Sequence, residues 1–352
     1  MENYGIDSHK LMYHPSRVTQ WRKEGDCYPI YVEISPSGKC NHRCIFCALD
    51  YMGYNNPLLD TEVLTDVLEE ISTLGIKAVM FAGEGEPLLH PDIGKLIQLS
   101  KLVGLDVAVT TNGVFLNKVL DEVIDNCTWI RVSLDAASAS VYSDIHGCND
   151  KDYYKVSSNL ADLVNLKKKK ASQCTIGVQL LLLNKNYSEV VQLAGWLKSI
   201  GVDYLVVKPY SQHPLSKNAV QAEFVKERLD SLRVRLKDYS KDSFSVIFRQ
   251  QAINRVSTPR SYQKCLGLPF FCYISSLGEV YPCSTYLGEK EYMYGNINEN
   301  TFEEIWNSQQ RRDVLHRIDS LDISTCRENC RLDPINQYLW ELTNPPAHVN
   351  FI

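Results

Sequence analysis

The chain lacks three things: a long apolar run, an excess of positive charge and an opening typical of export. Among its 352 residues no stretch reaches the roughly eighteen consecutive apolar residues that a membrane-spanning helix needs. The formal net charge of −5 provides no basic field of the kind that binds nucleic acids. Met1–Asp7 has no basic segment followed by an apolar one, as a secretory signal would. We therefore expect a cytoplasmic protein that has neither a nucleic acid nor a membrane as its partner.

Cysteine, in contrast, is abundant, at 12 residues. In a chain without an export signal thiols stay reduced, which favours metal ligation over disulfides. Three of the cysteines form the run Cys40-Asn-His-Arg-Cys44-Ile-Phe-Cys47. Thiolates at this spacing can bind three irons of a cuboidal iron–sulfur cluster and leave the fourth iron open for chemistry. The alternative is a tetrahedral zinc site in which His42 is the fourth ligand.

The C-x3-C-x2-C spacing, with Phe46 before the last cysteine, resembles the signature of the radical S-adenosylmethionine (SAM) enzymes. The resemblance implies that Cys40, Cys44 and Cys47 bind a [4Fe–4S] cluster whose open iron is chelated by the amino and carboxylate groups of SAM. One electron from such a cluster cleaves SAM to a 5′-deoxyadenosyl radical, which removes a hydrogen atom from the substrate. A one-electron reductant such as flavodoxin or ferredoxin is then an expected partner.

From about Tyr31 to Arg249, short β-branched or apolar runs alternate with longer amphipathic ones. This alternation predicts an α/β fold with a parallel sheet wrapped by helices. About six such units are too few for a closed eight-stranded barrel, and they agree with the partial (β/α)6 TIM-like barrel of the family that the chain resembles. The predicted strands are Tyr31–Ile34, Ala78–Ala82, Asp106–Thr110, Trp129–Leu134, Thr175–Leu183, Tyr204–Lys208 and Ser245–Phe248. The predicted helices are Thr61–Leu74, Asp92–Leu102, Leu116–Asp125, Asp152–Lys170, Ser188–Ile200 and Gln221–Leu236.

The regions on either side of the barrel differ from it in pattern. We predict an N-terminal cap over residues 1–30, the barrel over 31–250, and an auxiliary domain with a C-terminal tail over 251–352. In the last region, Phe271–Ser275 and Glu279–Tyr281 alternate around Leu277-Gly278, which predicts a β-hairpin. Thr301–Ile318 predicts a helix with Thr301 as its N-cap and Glu304 three residues on. The extension is thus a small hairpin plus a helix.

The loops after the strands are expected to bind SAM, because such barrels carry their chemistry at the carboxyl ends of the strands. Gly83-Glu-Gly-Glu-Pro87 resembles the family's glycine-rich loop, whose glutamate, here Glu86, holds the methionine amino group. Residues after the next two strands match positions that hold the ribose and carboxylate of SAM, although each can also be a turn former or an N-cap. Where the family often has an arginine before a glycine, this chain has His146-Gly147. The expected cofactor-binding residues are Phe46, Gly83, Gly85, Glu86, Asn112, Ser133, Asp135 and Gln179.

Three further residues are candidates for catalysis. Lys208 and Tyr210 lie in the segment Lys208-Pro-Tyr-Ser-Gln-His213, which combines a cation, hydroxyls and an imidazole at a strand end. The alternative is structural, with Lys208 paired to a carboxylate and Tyr210 packed. Cys148 follows His146-Gly147, where a thiol can return a hydrogen atom to a substrate radical, as an epimerase needs. The remaining cysteines outside the metal sites are expected to be inert buried thiols.

A second metal site is predicted from cysteines in the C-terminal third. Cys265-x12-Gly278-x4-Cys283 resembles the opening of the SPASM and twitch extensions of radical SAM enzymes, and the lack of cysteine after Cys330 indicates the shorter twitch form. The resemblance implies one auxiliary [4Fe–4S] cluster, with no open iron. Replacement of one ligand by Cys272, and zinc in place of the cluster, are alternatives. The expected ligands are Cys265, Cys283, Cys326 and Cys330.

Together these features predict a radical SAM oxidoreductase or isomerase with a small polar substrate. Relatives with one auxiliary cluster commonly act on sugars and aminocyclitols, so we expect oxidation or epimerisation of a sugar, nucleotide sugar or aminocyclitol. A radical enzyme that crosslinks or epimerises a peptide is the alternative within the family. A structural scaffold with two zinc ions is the alternative outside enzymes.

Overall fold

The computed structural model describes residues 4, 6, 8–220, 222, 224–240, 243–249 and 259–351. Its strands, in chain order, are β1 (Tyr31–Ile34), β2 (Ser37–Lys39), β3 (Asn55–Leu58), β4 (Ala78–Phe81), β5 (Asp106–Thr111), β6 (Trp129–Ser133), β7 (Thr175–Leu182), β8 (Tyr204–Pro209), β9 (Ser245–Phe248), β10 (Phe271–Ile274), β11 (Glu279–Tyr281) and β12 (Gly295–Asn296). The α-helices of the described residues are α1 (Pro15–Glu24), α2 (Thr61–Thr73), α3 (Ile93–Leu102), α4 (Leu120–Asn126), α5 (Ala139–His146), α6 (Asp150–Lys170), α7 (Val190–Ile200), α8 (Lys226–Lys237), α9 (Phe302–Trp306), α10 (Gln309–Asp319) and α11 (Asp333–Thr343).

The centre of the fold is a 10-stranded sheet in the order β12-β11-β10-β1-β4-β5-β6-β7-β8-β9. Every neighbouring pair from β10 through β1 to β9 is parallel, whereas β11 and β12 are antiparallel additions. The two edges of this sheet, β12 and β9, are not neighbours in the order, so the barrel is open. The predicted partial TIM-like barrel is confirmed.

The sheet has two unlike faces because successive side chains of a strand point to opposite sides. Val32 and Ile34 of β1 are fully buried in the main apolar core, together with the apolar stripe of α2. Full burial of one such side chain stabilises the fold by about 1.5–3 kcal/mol. The alternate residues Tyr31 and Glu33 line the barrel interior. The interior is therefore the face left for polar chemistry.

The C-terminal hairpin continues the barrel sheet. Its first strand, β10, pairs in parallel with β1, in the register Tyr31↔Phe271 to Ile34↔Ile274, and β11 returns antiparallel to it. The hairpin was predicted as a separate extension. It instead pairs with β1, which would otherwise be an edge strand with unpaired backbone N–H and C=O groups. The two parts of the chain thereby share one sheet.

One sequence prediction about a helix needs correction. Thr301–Ile318 was expected to be one helix, but it is two, α9 and α10, because Ser308 starts a new helix by accepting a hydrogen bond from Arg311 N. The predicted capping box of Thr301 and Glu304 is present at the start of α9. The predicted start of another helix at Gln221 lies outside the described residues, as does the boundary between residues 250 and 251.

The N-terminal residues pack on the C-terminal tail. Leu11, Val18 and Trp21 form a small apolar core with Phe270 and Leu339. None of the described helices combines the length and the apolar character that a membrane span needs.

Candidate active site

The loop with the first three cysteines is held on the last turn of α5. Arg43 N donates to His146 O and Ile45 N donates to Ile145 O, each at 2.9 Å. Gly147 follows with φ at +56°, and a Cβ on it would lie 2.3 Å from Arg43 O. Only glycine permits this approach, because any other side chain would push the loop away. The C-terminal end of α5 therefore fixes the position of the cysteine loop.

The three thiols of this loop lie close together in a desolvated setting. The thiol of Cys44 interacts electrostatically with the thiols of Cys40 and Cys47. Burial raises the pKa of all three thiols, that of Cys40 to about 11. Backbone N–H groups two residues further along donate to two of the sulfur atoms, His42 N to Cys40 and Leu49 N to Cys47. Buried thiolates need a cation beside them, and hydrogen bonds to sulfur are typical of iron–sulfur ligands.

His42 does not form a set of close ligand atoms with all three cysteines of the loop. Its Nε2 is 3.4 Å from Asp152 Oδ2. Among the described residues, two sets of three side chains have metal-ligating atoms that all lie within 4.8 Å of one another: His42–Cys44–His146 and His42–Cys148–Asp152. The sulfur atoms of Cys40, Cys44 and Cys47 do not meet this distance. Tetrahedral zinc would bring thiolate sulfurs to about 3.8 Å apart. The wider spacing agrees with a cluster and disfavours a single zinc ion.

His146 joins the cysteine loop to Asp135. Its Nδ1 lies 3.3 Å from Cys44 Sγ, and its Nε2 lies 3.2 Å from Asp135 Oδ2. The other oxygen of Asp135 accepts from Leu181 N. Both side chains are buried, so Asp135 lies behind His146 and holds its ring against the loop.

Glu86 ties the end of β4 to the end of β5. Its Oε1 accepts from Leu88 N at 3.1 Å and from Thr111 Oγ1 at 2.5 Å, and its Oε2 accepts from Asn112 N at 2.7 Å. Burial raises the pKa of this carboxyl group to about 7. Asn112 in turn donates from Nδ2 to Asn41 Oδ1 at 2.8 Å, which links the strand end to the cysteine loop.

Gly83 and Gly85 bring the loop after β4 against the turn after β1. A Cβ on Gly83 would lie 2.2 Å from Ser35 Oγ, and one on Gly85 would lie 2.3 Å from Ser37 O. The absence of a side chain at both positions thus permits this close approach, and both residues also line the central cavity.

The four predicted C-terminal cysteines come together from separate segments. Electrostatic interactions connect Cys265 with Cys283, Cys326 and Cys330, and burial raises the pKa of Cys283 to about 12 and that of Cys330 to about 11. Cys272 stands apart, because it is fully buried in the apolar core on β10.

Hydrogen-bond donors surround the sulfur atoms of this second group as well. Leu332 N donates to Cys330 Sγ at 3.3 Å, and Asn336 Nδ2 donates to Cys265 Sγ at 3.5 Å. The backbone of Thr285 donates to Cys283. The spacing of two residues between cysteine and backbone donor repeats that of the first loop, so both groups suit buried, metal-bound thiolates.

One cavity of about 850 Å³ connects the two groups of cysteines inside the barrel. Cys40 and Cys44 line one part of it, and Cys283 and Cys330 line another. Of the predicted site residues outside the metal ligands, those on its wall are Phe46, Gly83, Gly85, Glu86, Asn112, Ser133, Gln179 and Lys208.

Three predicted residues are absent from the described lining. Asp135 lies behind His146, as described above. The thiol of Cys148 lies with the ligand atoms of His42 and Asp152. Tyr210 donates from its hydroxyl to Gln212 Oε1.

Several charged residues that line the cavity were not predicted from the sequence. Glu33 and Arg131 occupy alternate, inward positions of β1 and β6, and a charge in the middle of an apolar strand was the available signal. Arg327 and Arg331 stand beside cysteines, and no sequence pattern marked them. Arg331 donates to Glu33 and, at 3.3 Å, to Tyr31 OH, so it joins the C-terminal segment to β1.

Comparisons with known proteins agree with this geometry. Residues 34–197 match the family described as the Radical SAM superfamily, and residues 265–331 match the SPASM family, described as an iron–sulfur cluster-binding domain. AdoMet-dependent heme synthase of Methanosarcina barkeri is 24% identical over 77% of this chain and 80% of its own length. GTP 3′,8-cyclase of Chlorobaculum tepidum is 26% identical over 56% of this chain, which spans 60% of that enzyme.

Solved structures share the fold. Streptococcus suis SuiB bound to S-adenosylmethionine superposes with a TM-score of 0.67 at 16% identity, over 88% of this chain and 72% of that chain. The structure of anSMEcpe with bound AdoMet gives 0.60 at 17% identity, over 88% and 85%.

The two matched domains each contain one of the cysteine groups. They imply a [4Fe–4S] cluster that works with SAM in the barrel and an auxiliary iron–sulfur cluster in the C-terminal region. The chain therefore contains a radical SAM domain over residues 34–197 and a SPASM-type iron–sulfur cluster-binding domain over residues 265–331.

Proposed function

We propose that this radical SAM enzyme oxidises or epimerises a small polar molecule, namely a sugar, nucleotide sugar or aminocyclitol. The observation that carries the proposal is one cavity of about 850 Å³ whose wall includes cysteines of both groups. A cavity of this size accommodates one small-molecule ligand together with a cofactor. The polar side chains on its wall favour a hydrophilic substrate.

The proposal assigns the first cluster to Cys40, Cys44 and Cys47. When bound there, it supplies the electron that cleaves SAM, and the 5′-deoxyadenosyl radical so formed abstracts a hydrogen atom from the substrate. We assign the auxiliary cluster to Cys265, Cys283, Cys326 and Cys330.

The remaining residues bind and orient. Phe46, Glu86 and Asn112 lie on the cavity wall near the cysteine loop, which supports their predicted part in binding SAM. Ser133 and Gln179 are register partners on β6 and β7 and face the same cavity. Asp135 acts through His146 and is a positioning residue in this proposal.

Lys208 faces the cavity and is proposed to contact the substrate. The catalytic parts of Cys148 and Tyr210 stay predictions, because neither residue is part of the cavity wall described above. A cytoplasmic location and a flavodoxin or ferredoxin reductant complete the proposal.

Modification of a peptide is the second candidate. Its support is the fold shared with Streptococcus suis SuiB, which has been solved bound to the precursor peptide SuiA. The heme synthase and the GTP cyclase are named for reactions of non-peptide molecules, and this favours the first candidate. A Radical SAM domain matches the first cysteine group and an iron–sulfur cluster-binding domain matches the second. These matches favour iron–sulfur clusters over the structural scaffold with two zinc ions.

Anaerobic reconstitution with iron and sulfide tests the proposal. We expect about eight irons per chain, as two cubane clusters require, and formation of 5′-deoxyadenosine from SAM after reduction. Adding a nucleotide sugar, an aminocyclitol or a short peptide separately then identifies the class that raises deoxyadenosine above the substrate-free background. A reconstituted chain that binds this iron but never cleaves SAM contradicts the proposed function, and stimulation by the peptide alone replaces the first candidate by the second.

A further inference from the structure

The cavity between the two cysteine groups carries more positive than negative charge on its barrel wall and its C-terminal wall. Lys208 stands at the end of β8, and four arginines act on it electrostatically. These are Arg131, Arg249, Arg327 and Arg331. The carboxylates that line the same cavity are Glu33, Glu86 and Asp106.

Each of these carboxylates already has a partner. Glu33 accepts from Arg331, and Glu86 accepts from the backbone and hydroxyl groups at the end of β5. Asp106 accepts from Thr128 Oγ1 at 3.3 Å. The carboxylates therefore do not neutralise Lys208.

Lys208 makes no hydrogen bond or ion pair with any described residue. Burial and the neighbouring guanidinium groups lower the pKa of its ammonium group to about 7. Lys208 is half-buried, and a partly buried cation without a counter-charge destabilises the fold unless an anion binds beside it. The positive charge of Arg327, which acts on Lys208 from the C-terminal wall, adds to this demand.

The C-terminal wall supplies further polar groups that lack partners. Arg327 Nε is buried, and so are both amide atoms, Oδ1 and Nδ2, of Asn329; none of the three has a hydrogen-bond partner among the described residues. Both residues line the cavity, as Lys208 does. Buried polar groups in folded proteins nearly always have partners, so this group of side chains points to a polar ligand.

We propose, building on the function proposed above, that the substrate carries a phosphate or carboxylate group that Lys208 and Arg327 bind between the two cysteine groups. A guanidinium group offers two parallel donors to either anion, and an ammonium group adds a compact charge. The amide of Asn329 is placed to contact a neighbouring hydroxyl of the same molecule. Within the substrate classes considered, this favours an anionic one such as a nucleotide sugar, and it disfavours an aminocyclitol, whose ammonium groups the wall would repel.

The test uses the anaerobically reconstituted holoenzyme, so that the negative charge of both clusters is present. Inorganic pyrophosphate and malonate are titrated separately by calorimetry, with uncharged glucose as the reference. We expect at least one of the two anions to bind measurably more tightly than glucose. Tighter binding of pyrophosphate identifies a phosphate site, and tighter binding of malonate identifies a carboxylate site.

Variants locate the binding. Lys208→Gln and Arg327→Gln should each weaken binding of the preferred anion by about tenfold or more, as expected for a lost hydrogen bond to a charged group. Lys208→Arg keeps the charge and should retain binding to within a few-fold. Lys95→Gln removes a cation whose side chain is 77% exposed on α3, and binding should stay unchanged. Iron content and the thermal midpoint establish that each variant is folded and loaded.

Two results would overturn the proposal: anions that bind no better than glucose, or equal binding by Lys208→Gln, Arg327→Gln and Lys95→Gln in folded, iron-loaded form. Failure of the underlying function has a separate signature, because the wild-type holoenzyme would then bind anions without cleaving SAM. Cleavage without anion binding, conversely, leaves the function in place and removes only this inference.

Discussion

The two groups of cysteines are assembled in opposite ways. Cys40, Cys44 and Cys47 come from one short loop, whose spacing is visible in the sequence. The second group gathers thiols from before β10, after β11 and after α10, so only the fold brings them together. The first group depends on the docking of one loop, and the second depends on the path of the whole C-terminal region.

The supports of the two groups also differ. The first loop rests on the end of α5 through two backbone hydrogen bonds and the space left by Gly147. The C-terminal region is joined to the barrel by the pairing of β10 with β1 and by the contact of Arg331 with Glu33. Since these supports are separate, loss of one metal site should leave the other able to load.

Removing the thiols should give the largest effects. Replacing Cys40, Cys44 and Cys47 by Ala should abolish SAM cleavage and leave about four irons per chain, because one cubane site remains. Iron analysis and liquid chromatography of deoxyadenosine measure both results. Cys272→Ala is the matched control, since it removes a buried thiol outside both groups and should leave about eight irons. Loss of all iron in the triple variant would show that the two sites depend on each other.

A change at the support of the first loop should have a smaller effect. Gly147→Ala places a Cβ 2.3 Å from Arg43 O at a φ of +56°, so the loop must move away from α5. We expect SAM cleavage to fall about tenfold or more and iron to decrease towards about four per chain. The activity assay and iron analysis above measure this.

Gly104→Ala is the control for the glycine variant. Gly104 has a φ of +90° but no atom within 4 Å of an added Cβ. Its substitution should therefore cost only backbone strain, about 1–3 kcal/mol, without specific loss of iron. Equal loss of iron in both glycine variants would contradict the docking of the loop on α5.

The smallest effect is expected for the link between the N-terminal segment and α10. The fully buried side chain of Arg311 binds Asp26 through two hydrogen bonds of 2.6 and 2.8 Å and stacks 3.8 Å over Trp306. Arg311→Met should lower the free energy of unfolding by about 1–3 kcal/mol, because half-buried Asp26 loses its partner. Urea unfolding followed by circular dichroism measures this change.

Arg312→Met provides the comparison on the same helix. Arg312 is exposed and contacts Gln309 and Asn307 O. Its replacement should change the free energy of unfolding by no more than about 0.5 kcal/mol. Similar values for the two variants would rule out a special contribution from the buried pair.

Much of the barrel could be predicted, because its strands are short apolar runs between amphipathic helices. The predicted strand Tyr31–Ile34 coincides with β1, and the predicted hairpin coincides with β10 and β11. The strand-end loops around Glu86 and Asn112 lie beside the cysteine loop, and their part in binding SAM stays a prediction. The local sequence pattern predicted these elements correctly because they form from residues that are close together in the chain.

Other features depended on contacts between distant segments. The split of Thr301–Ile318 depends on Ser308 as an N-cap, and apolar periodicity continues across the break. The contact of Asp135 with His146 joins two loops, and neither residue alone indicates it. The cationic wall around Lys208 combines strands β6 and β8 with a segment after α10, so the charges are scattered in the sequence.

The sequence by itself determined the kind of chemistry, since cysteine spacing within one loop limits which metal centre the thiols can bind. It also determined the alternating strands and helices, which follow from local apolar periodicity. Only the tertiary structure decided that both cysteine groups border one cavity and that Lys208 and Arg327 lie on its wall. The physical reason is that charge interactions depend on distances in space, and those distances are set when β1 pairs with β10 and the C-terminal segment packs across the open barrel.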